Sequence, residues 1–292
     1  MSNPTAMMAI GAILIAFSPI ITKAVTLQPT TIGFYRFFFA LITMSIVSLC
    51  MRKQLSDKFS RVEFKRSLPY IMSAGLFFSL DLYVWNRSIL SVGSGVATLL
   101  ANTQVFYLAL VGVIVFKEKL KPFFYPAMLI AVIGIVLTSL PFIDLDRVNE
   151  KSMGIVYGLL TGVSYSFVTF SLRKANDHFK GHPIVIVYGM TFFAAIFSFL
   201  MTIAEGSFKL ISGADIGYMF LYGSLIHFVG WLLISKAIKV IPIALASLLL
   251  LLQPICATVL GHLIFDEYLS ITQLIGLTLS LLGIYLAMRA RE

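Results

Sequence analysis

Long apolar runs separated by short polar connections make up almost the whole chain. Each run holds about 20 residues, the length that an α-helix needs to cross the hydrocarbon core of a bilayer. Ten such runs follow one another and leave no stretch for a separate soluble domain. The pattern therefore predicts an all-α membrane protein with ten transmembrane helices. The predicted helices are Ala6–Val25, Thr30–Met51, Leu68–Leu90, Val92–Phe116, Phe123–Leu140, Ser152–Leu172, Pro183–Ile203, Ile216–Ile238, Ile241–Phe265 and Ile271–Met288.

The composition agrees with a membrane protein and excludes two other classes. Of the 292 residues, 59% are hydrophobic and 12% are charged, and the mean hydropathy is +0.95. Soluble globular proteins carry about 25% charged residues, and disordered chains combine low hydrophobicity with high net charge. Cys50 and Cys256 lie within apolar runs and lack the spacing of metal ligands. We therefore expect no metal, no disulfide and no other cofactor.

The distribution of lysine and arginine predicts the orientation of the helices. If the N-terminus lies in the cytoplasm, 16 of the 22 basic residues fall in cytoplasmic segments, and only Arg147, Lys151 and Lys209 fall outside. This asymmetry follows the positive-inside rule, so the net charge of +9 indicates orientation in a bilayer rather than binding to nucleic acid. Ten spans then place both termini in the cytoplasm. The 16 residues are Arg52, Lys53, Lys58, Arg61, Lys65, Arg66, Lys117, Lys119, Lys121, Arg173, Lys174, Lys180, Lys236, Lys239, Arg289 and Arg291.

The two halves of the chain resemble each other at a shift of 149 residues. The sequence thus divides into two five-helix repeats, residues 1–150 and 151–292. Because five is an odd number, the second repeat enters the membrane from the opposite side. Such inverted repeats are characteristic of secondary transporters, which bind their substrates between the two halves. The matched pairs include Gln104 with Gln253, Glu118 with Glu267, and Gly134 with Gly283.

Two segments carry a resemblance to a known family. The first is residues 81–106, followed by Phe116-Lys117-Glu118-Lys119-Leu120, and the second is residues 241–254, followed by Phe265-Asp266-Glu267-Tyr268-Leu269. They resemble the EamA-type transporters of the drug/metabolite transporter superfamily, in which helices four and nine each carry a proline before such a turn. Pro254 matches this pattern, whereas Val105 replaces the first proline.

The resemblance implies an architecture and a class of function. It implies ten helices in two inverted halves around a central cavity, with helices five and ten at the periphery. It also implies transport of small solutes such as amino acids, drugs or nucleotide-linked metabolites. We expect the protein to lie in the plasma membrane, which is the inner membrane in a bacterium.

Four ionisable side chains lie inside the predicted helices: Lys23, Arg36, Asp81 and Arg87. A charge within the bilayer is costly and usually faces a cavity or a partner. One interpretation is a charged pocket that binds a carboxylate or a phosphate, in which Asp81 also exchanges a proton. The other is a structural ion pair of Asp81 with Lys23 or Arg36. Arg87 lies near a helix end, from which it could reach the lipid headgroups.

Polar and aromatic residues extend the candidate site. Trp85 shares a helix face with Asp81 and suits either a planar substrate or the interfacial aromatic belt. Gln104 and Gln253 lie at mid-depth of helices four and nine, and Asn102 is close to the first of them. Their amides suit either a polar substrate or hydrogen bonds between helices. The predicted substrate-binding residues are Lys23, Arg36, Asp81, Trp85, Asn102, Gln104 and Gln253.

Three further features have a structural and a functional interpretation. His227, in the middle of helix eight, is a packing residue or a proton site, and packing is favoured. The glycine stripe Gly154–Gly162, with a glycine at every fourth position, permits either close packing within the chain or a dimer contact. Pro19 and Pro254 interrupt their helices and mark either a plain kink or a binding break.

The sequence contains no motif of a catalytic site, such as HExxH, GxSxG or Walker A. We therefore expect no enzyme activity. An intramembrane enzyme would need a second catalytic group beside Asp81. An ion channel would need a selectivity segment, and none is evident.

Charge predicts the substrate class and the mechanism. Three cations against one anion in the outer half of the helices predict a small amphipathic solute with an anionic or zwitterionic group, such as an amino acid. We expect alternating access, coupled to protons through Asp81 and directed to export. An uncoupled facilitator and an uptake exchanger are the alternatives. The expected partners are this substrate, the lipid bilayer and protons, and the expected state is a monomer or a weak homodimer.

Overall fold

All regular elements of the described residues are helical. The structure is a computed structural model that describes residues 3–57, 59–104, 106–107, 122–142, 149–211, 213–237, 240 and 249–289. A 3₁₀ turn at Leu140–Phe142 and a π-helical segment at Tyr222–Val229 accompany the α-helices. The α-helices are α1 (Pro4–Ala16), α2 (Ser18–Ala24), α3 (Pro29–Cys50), α4 (Arg52–Asp57), α5 (Arg61–Val92), α6 (Ser94–Ala101), α7 (Phe124–Ser139), α8 (Glu150–His178), α9 (Pro183–Ala204), α10 (Ala214–Leu221), α11 (Gly230–Ala237), α12 (Leu252–Phe265) and α13 (Ile271–Arg289).

Within the described residues, seven helical stretches are long and apolar enough to cross a membrane. They correspond to predicted helices one to three and five to eight. The shorter apolar helices α12 and α13 correspond to the second part of predicted helix nine and to helix ten. Val105, the turn at residues 117–120 and the first part of helix nine lie outside the described residues. The all-helical, multi-span class is confirmed, and the count of ten stays a prediction.

Capped polar turns extend two helices beyond the apolar runs that predict them. Ser60 caps α5 by accepting a hydrogen bond from the backbone N–H of Glu63, and Asn149 with Ser152 forms a capping box at the start of α8. Gly93, at a φ of 88°, ends α5 in a conformation that residues with a Cβ rarely adopt. At 32 residues α5 is roughly 48 Å long. It therefore projects beyond a hydrocarbon core of about 30 Å.

The contacts between helices follow a two-fold pattern. α1 packs against α11, and its repeat equivalent α8 packs against α5. Likewise, α3 contacts the π-helical segment, and its repeat equivalent α9 contacts α5. In the same way α6 contacts α8, and its repeat equivalent α12 contacts α1. The pairs α3–α9, α6–α12 and α7–α13 join equivalent helices. A two-fold axis between the two halves produces this pattern.

Helices α7 and α13 form a closely packed pair and make few contacts with the other helices that the structure describes. A Cβ on Gly134 would lie 2.5 Å from the carbonyl oxygen of Gly276, and a Cβ on Gly283 would meet the backbone of Ala131. The two backbones therefore touch at glycines that the repeat relates. This pair occupies the peripheral position that the resemblance implies for helices five and ten.

The glycine stripe of α8 packs against neighbouring helices of the same chain. A Cβ on Gly158 would lie 2.5 Å from Cδ1 and 2.7 Å from Cβ of Leu100. A Cβ on Gly162 would collide with the side chain of Thr103. The stripe thus lets α8 approach the α6 segment, as the packing interpretation predicts.

Candidate functional site

A narrow cavity lies between the two repeats. Helices α1, α3, α5 and α6 of the first half and α8, α11 and α12 of the second half form its walls. Its empty volume is about 350 Å³, but only about 20 Å³ admits the centre of a water molecule. Since one water needs about 10–15 Å³, the cavity is narrow, with room for one or two waters. The lining residues are Ile15, Arg36, Phe78, Asp81, Trp85, Thr98, Ala101, Thr161, Tyr165, Trp231 and Gln253.

Arg36 places a buried cation at this cavity. It is 1% exposed, and it donates from Nε to Nδ1 of His227 over 3.2 Å and from Nη1 to the hydroxyl of Tyr222 over 2.9 Å. The guanidinium lies 4.6 Å from the ring centre of Tyr222 and 5.7 Å from that of Phe78. Within the part of the chain that the structure describes, Arg36 forms no ion pair. Aromatic faces and neutral acceptors thus stabilise the charge without neutralising it.

Four buried polar atoms around the cavity have no hydrogen-bond partner among the described residues. They are Oδ1 of Asp81, Nε1 of Trp85, Nε1 of Trp231 and Nε2 of Gln253. Folded proteins pair the great majority of their buried polar groups, so four such atoms around one cavity indicate a place for a polar ligand. Three of them are donors and one is an acceptor.

Tyr165 connects the two glutamines that the repeat relates. Its phenol lies close to the side-chain amides of both Gln104 and Gln253. Gln104 also accepts a hydrogen bond at Oε1 from the hydroxyl of Thr169 over 3.3 Å. Gln253 lines the cavity, and Gln104 is linked to it through Tyr165.

Two helix breaks lie at equivalent positions in the repeats. α6 ends in a turn at Asn102 and Thr103, and the helix resumes at Gln104. In the second repeat the equivalent turn is at Leu251, 149 residues after Asn102. It precedes α12, whose second residue is Gln253. Interrupted helices near the middle of the bilayer leave backbone groups free of the helical ladder and are typical of transporter binding sites.

Comparison with known proteins identifies the family. The profile of the EamA-like transporter family matches residues 4–140 and, a second time, residues 152–289. This chain belongs to the EamA-like transporter family. The double match also shows the two-repeat architecture that the shift of 149 residues predicts.

Relatives of this EamA-family protein are described as transporters rather than as enzymes. An uncharacterized transporter of Archaeoglobus fulgidus is 24% identical and is matched over 97% of this chain and 96% of its own length. Another, from Clostridium kluyveri, is 23% identical over 74% of this chain and 70% of its own length. A crystal structure of a protein with 16% identity matches with a TM-score of 0.65 over 97% of this chain and 96% of that one. That last likeness shows a shared fold.

The predicted binding residues of the EamA-family protein separate into two groups. Arg36, Asp81, Trp85 and Gln253 line the cavity. Asn102 does not belong to this lining, because its Nδ2 donates to the backbone carbonyl one turn earlier in its own helix, over 2.8 Å. Gln104 is connected to the cavity only through a tyrosine, as described above.

Lys23 lies apart from the residues that line the cavity. Its Nζ lies 2.5 Å from Oε1 of Glu267, away from the cavity lining, so a structural ion pair of Lys23 with Asp81 is wrong. Arg36 and Asp81 form no ion pair either among the described residues, although both border the cavity. The guanidinium of Arg87 forms an ion pair with Glu205 over 2.6 Å, so it has a partner within the protein and does not depend on the lipid headgroups. Glu267 and Glu205 therefore neutralise two of the three cations from which the sequence analysis predicted an anionic or zwitterionic substrate.

Glu205 binds several groups at its helix end. It accepts hydrogen bonds from Nη2 of Arg87 over 2.6 Å and from the hydroxyls of Thr30 and Tyr83. Partial burial alone would raise the pKa of Glu205, but these hydrogen bonds and the Arg87 charge outweigh it and hold the pKa below its usual value.

Sequence reasoning missed Tyr165 and did not assign Trp231 to the site. Tyr165 lies three residues after Gly162 and so continues the glycine stripe towards the cavity. Trp231 lies one turn after His227 and was noticed only as its neighbour. Following the stripe one turn further would have found the tyrosine.

Proposed function

We propose that this EamA-family protein moves a small zwitterionic or anionic organic solute, such as an amino acid or a related metabolite, across the membrane by alternating access. The main support is the set of four unpartnered polar atoms around a narrow cavity between the two repeats, counted over the described residues. Transporters with inverted repeats bind their substrates at this place in the fold.

The donors around the cavity favour a carboxylate on the substrate. Arg36 supplies a charged donor, and Trp85, Trp231 and Gln253 supply three neutral N–H groups that lack partners in the described residues. A carboxylate accepts about four hydrogen bonds, so it complements this set. Asp81 offers the unpartnered acceptor, which suits an ammonium group. One cation and one anion at the same cavity thus match a zwitterion better than a simple anion.

The small size of the cavity supports alternating access. Its room for one or two waters is too small for an amino acid, whose binding therefore requires the helices to separate on one side. A solute can then enter from one face while the other face remains closed.

Proton coupling is the energy source that we propose, with Asp81 as the group that binds and releases the proton. Asp81 is 5% exposed and borders the cavity, so a substrate ammonium and a proton would compete for its oxygens. One elementary charge moved across 100 mV supplies about 2.3 kcal/mol, which sustains a concentration ratio of roughly fiftyfold. We propose export as the direction of net transport.

The proposed setting is the plasma membrane, the inner membrane in a bacterium, with both termini in the cytoplasm. The charge distribution supports this orientation. We propose a monomer or a weak homodimer as the working form. Because the glycine stripe of α8 packs within the chain, it is not needed for a dimer contact.

Counterflow in proteoliposomes tests the proposal. Vesicles that contain the purified protein are loaded with each of the twenty amino acids in turn, and uptake of the same labelled amino acid is measured. The controls are protein-free vesicles and vesicles that contain the Arg36→Met variant. We expect counterflow of at least one amino acid with the wild-type protein and none with the variant.

Two results would contradict the proposal. One is transport of lipophilic cations such as tetraphenylphosphonium with no transport of acids or zwitterions. The other is full amino acid counterflow by the Arg36→Met variant, because the cavity would then not bind the transported solute.

A further inference from the structure

His227 lies behind Arg36 and is completely buried. Its Nδ1 accepts the Nε–H of Arg36 over 3.2 Å, and its Nε2 lies 3.1 Å from Oγ1 of Thr191. The Thr191 hydroxyl in turn donates to the backbone carbonyl of Val187 over 2.8 Å. A chain of hydrogen bonds therefore runs from the cavity cation through the imidazole to the backbone of α9.

This chain determines the protonation form of the imidazole. An arginine N–H can only donate, so Nδ1 of His227 must carry a lone pair. Thr191 uses its one hydroxyl hydrogen towards Val187, so its oxygen must accept from Nε2. Both ends require the neutral imidazole with its hydrogen on Nε2. A hydrogen on Nδ1 would face the N–H of Arg36 and break the contact.

The π-helical segment brings two acceptors to one guanidinium. In an α-helix, at about 100° per residue, Tyr222 and His227 would point about 140° apart. In a π-helix residue i bonds to residue i+5, so the two lie one turn apart on the same side. Tyr222 thus accepts from Nη1 of Arg36 while His227 accepts from Nε. Gly223 allows this approach, because a Cβ there would lie 2.7 Å from the backbone oxygen of Arg36.

Aromatic rings fix the planes of both side chains. The rings of Phe37 and Phe78 lie 5.3 Å from the imidazole of His227, measured between ring centres. Phe78 and Tyr222 flank the guanidinium of Arg36. The guanidinium is held at Nε and Nη1, and Arg36 also lines the cavity.

We propose that His227 is a positioning residue that holds the guanidinium of Arg36 in the orientation that binds the substrate carboxylate. This role rests on the proposed function, and it assigns His227 to specificity for the carboxylate although His227 does not line the cavity. It acts as a neutral hydrogen-bond acceptor, so a side chain that accepts at the same place can replace it.

Tryptophan fluorescence of the detergent-solubilised full chain tests the role. The chain has two tryptophans, Trp85 and Trp231, and both line the cavity, so the emission reports on this site. The probes are leucine, 4-methylpentanoate, which lacks the amine, and 3-methylbutylamine, which lacks the carboxylate. Dissociation constants are measured for the wild type and for His227→Leu, His227→Asn and Thr191→Val.

We expect a loss that is specific for the carboxylate. His227→Leu should weaken binding of leucine and 4-methylpentanoate by about tenfold or more, because a hydrogen bond to a charged group is lost. Binding of 3-methylbutylamine should stay unchanged. His227→Asn, whose Oδ1 can accept in place of Nδ1, should remain close to the wild type. His262→Leu, the same substitution outside the cavity lining, serves as the matched control and should have no effect.

Thr191→Val is a second test that does not alter the imidazole. Without the threonine oxygen Nε2 of His227 loses its partner and the imidazole is held less firmly, so the carboxylate probes should bind a few-fold more weakly. This variant decides the question if His227→Leu does not fold, as judged by size-exclusion chromatography.

Failure of this inference differs from failure of the proposed function. Wild-type carboxylate affinity in both His227→Leu and Thr191→Val overturns the positioning role alone. An equal loss in His227→Asn and His227→Leu also overturns it, because the acceptor would not be what matters. A wild-type protein that responds to none of the three probes contradicts the proposed function and the positioning role together.

Discussion

Arg36 and Asp81 are buried charges that border one cavity without pairing with each other. Removing a charge from water costs several kcal/mol unless other groups stabilise it. Arg36 is stabilised by two neutral acceptors and two aromatic faces, whereas Oδ1 of Asp81 has no partner among the described residues. Arg36 is therefore stabilised by protein groups alone, whereas one oxygen of Asp81 is not. Asp81 is the residue at which a ligand or a proton would change the charge balance most.

Asp81→Asn separates proton coupling from a purely structural role. Asparagine keeps the size of the side chain but cannot bind and release a proton in this pH range. We expect the variant to lose accumulation driven by a pH gradient, so that the inside-to-outside ratio falls to about one, while some substrate counterflow remains. Both are measured in proteoliposomes with the wild type in parallel.

The result that would contradict the proton role is accumulation by Asp81→Asn with the wild-type dependence on pH. A variant that does not reach the membrane would favour the structural interpretation of Asp81.

The residue types that sequence analysis could identify are those that do not belong in a bilayer. Arg36, Asp81 and Gln253 stand out among apolar neighbours, and all three line the cavity. Lys23 stands out equally but pairs with Glu267, because periodicity shows the depth of a charge and not which distant loop returns to it. Tyr165 and Trp231 were not predicted as site residues because aromatic side chains are ordinary in membrane helices.

At the scale of elements, local signals explain the helix ends, and side-chain contacts over long distances explain how the helices meet. The carboxylate of Glu267 accepts hydrogen bonds from the backbone N–H and the hydroxyl of Ser94, over 2.9 and 3.1 Å, and so caps the start of α6. The same carboxylate pairs with Lys23 at the end of α2. Because the capping residue lies 173 residues further along the chain, local sequence patterns cannot predict this cap.

The cap makes Glu267 more important for stability than its cationic partner. Glu267→Ala removes three hydrogen bonds, including one to an N-terminal N–H of α6, and should destabilise the protein by about 1–3 kcal/mol. Lys23→Ala removes one partly exposed ion pair and should cost less than about 1 kcal/mol. Thermal unfolding of both variants in detergent measures the difference. Equal losses would show that the ion pair, and not the cap, is what Glu267 contributes.

The glycine stripe gives a second prediction for the elements. Gly158→Ala places a methyl group against the fully buried Leu100 and should cost about 1–3 kcal/mol through overpacking. Gly217→Ala is the matched control, because a Cβ there has no neighbour within 4 Å and alanine favours the helix by up to about 1 kcal/mol. The melting temperature should fall in the first variant and stay or rise in the second. A fall in both would mean that packing at the stripe is not the cause.

At the scale of the whole molecule, polar contacts join the two repeats at both ends of the bundle. At the end predicted to lie outside, Lys23 pairs with Glu267 and Arg87 with Glu205. At the other end a carboxylate oxygen of Glu63 accepts the backbone N–H of Lys180 over 3.0 Å. Contacts between the described residues of the two repeats are therefore present at both ends of the bundle. Alternating access requires one set of contacts to break while the other remains.

The pair at Glu205 predicts how stability depends on pH. Its pKa in the folded protein lies below the usual value of 4.5, so its contribution is present above that value and is lost as the pH falls through the folded pKa. The wild type should therefore exceed Glu205→Gln in stability at pH 7, by up to about 1 kcal/mol for a partly exposed pair. The difference should disappear in acid. Melting temperatures from pH 3 to pH 8 give the comparison, and a difference that grows towards low pH would contradict the account.

Sequence repetition predicted the arrangement of the halves well because it reports on all the helices at once. The shift of 149 residues that aligns Gln104 with Gln253 also relates the two helix breaks at Asn102 and Leu251. The small size of the cavity could not be predicted, because it depends on side-chain packing between helices far apart in the chain. The π-helical segment around His227 could not be predicted either, because a continuous apolar run gives no sign of a local change in the number of residues per turn.

The central claim is that the cavity between the repeats binds a zwitterion through Arg36 and Asp81. Fluorescence titration with leucine, 4-methylpentanoate and 3-methylbutylamine tests it most directly in the wild type, Arg36→Met and Asp81→Asn. The account predicts that leucine binds most tightly to the wild type, that Arg36→Met loses affinity for the two carboxylate probes, and that Asp81→Asn loses affinity for the two amine probes. Tightest binding of 3-methylbutylamine to the wild type, or affinities that neither substitution alters, would contradict it.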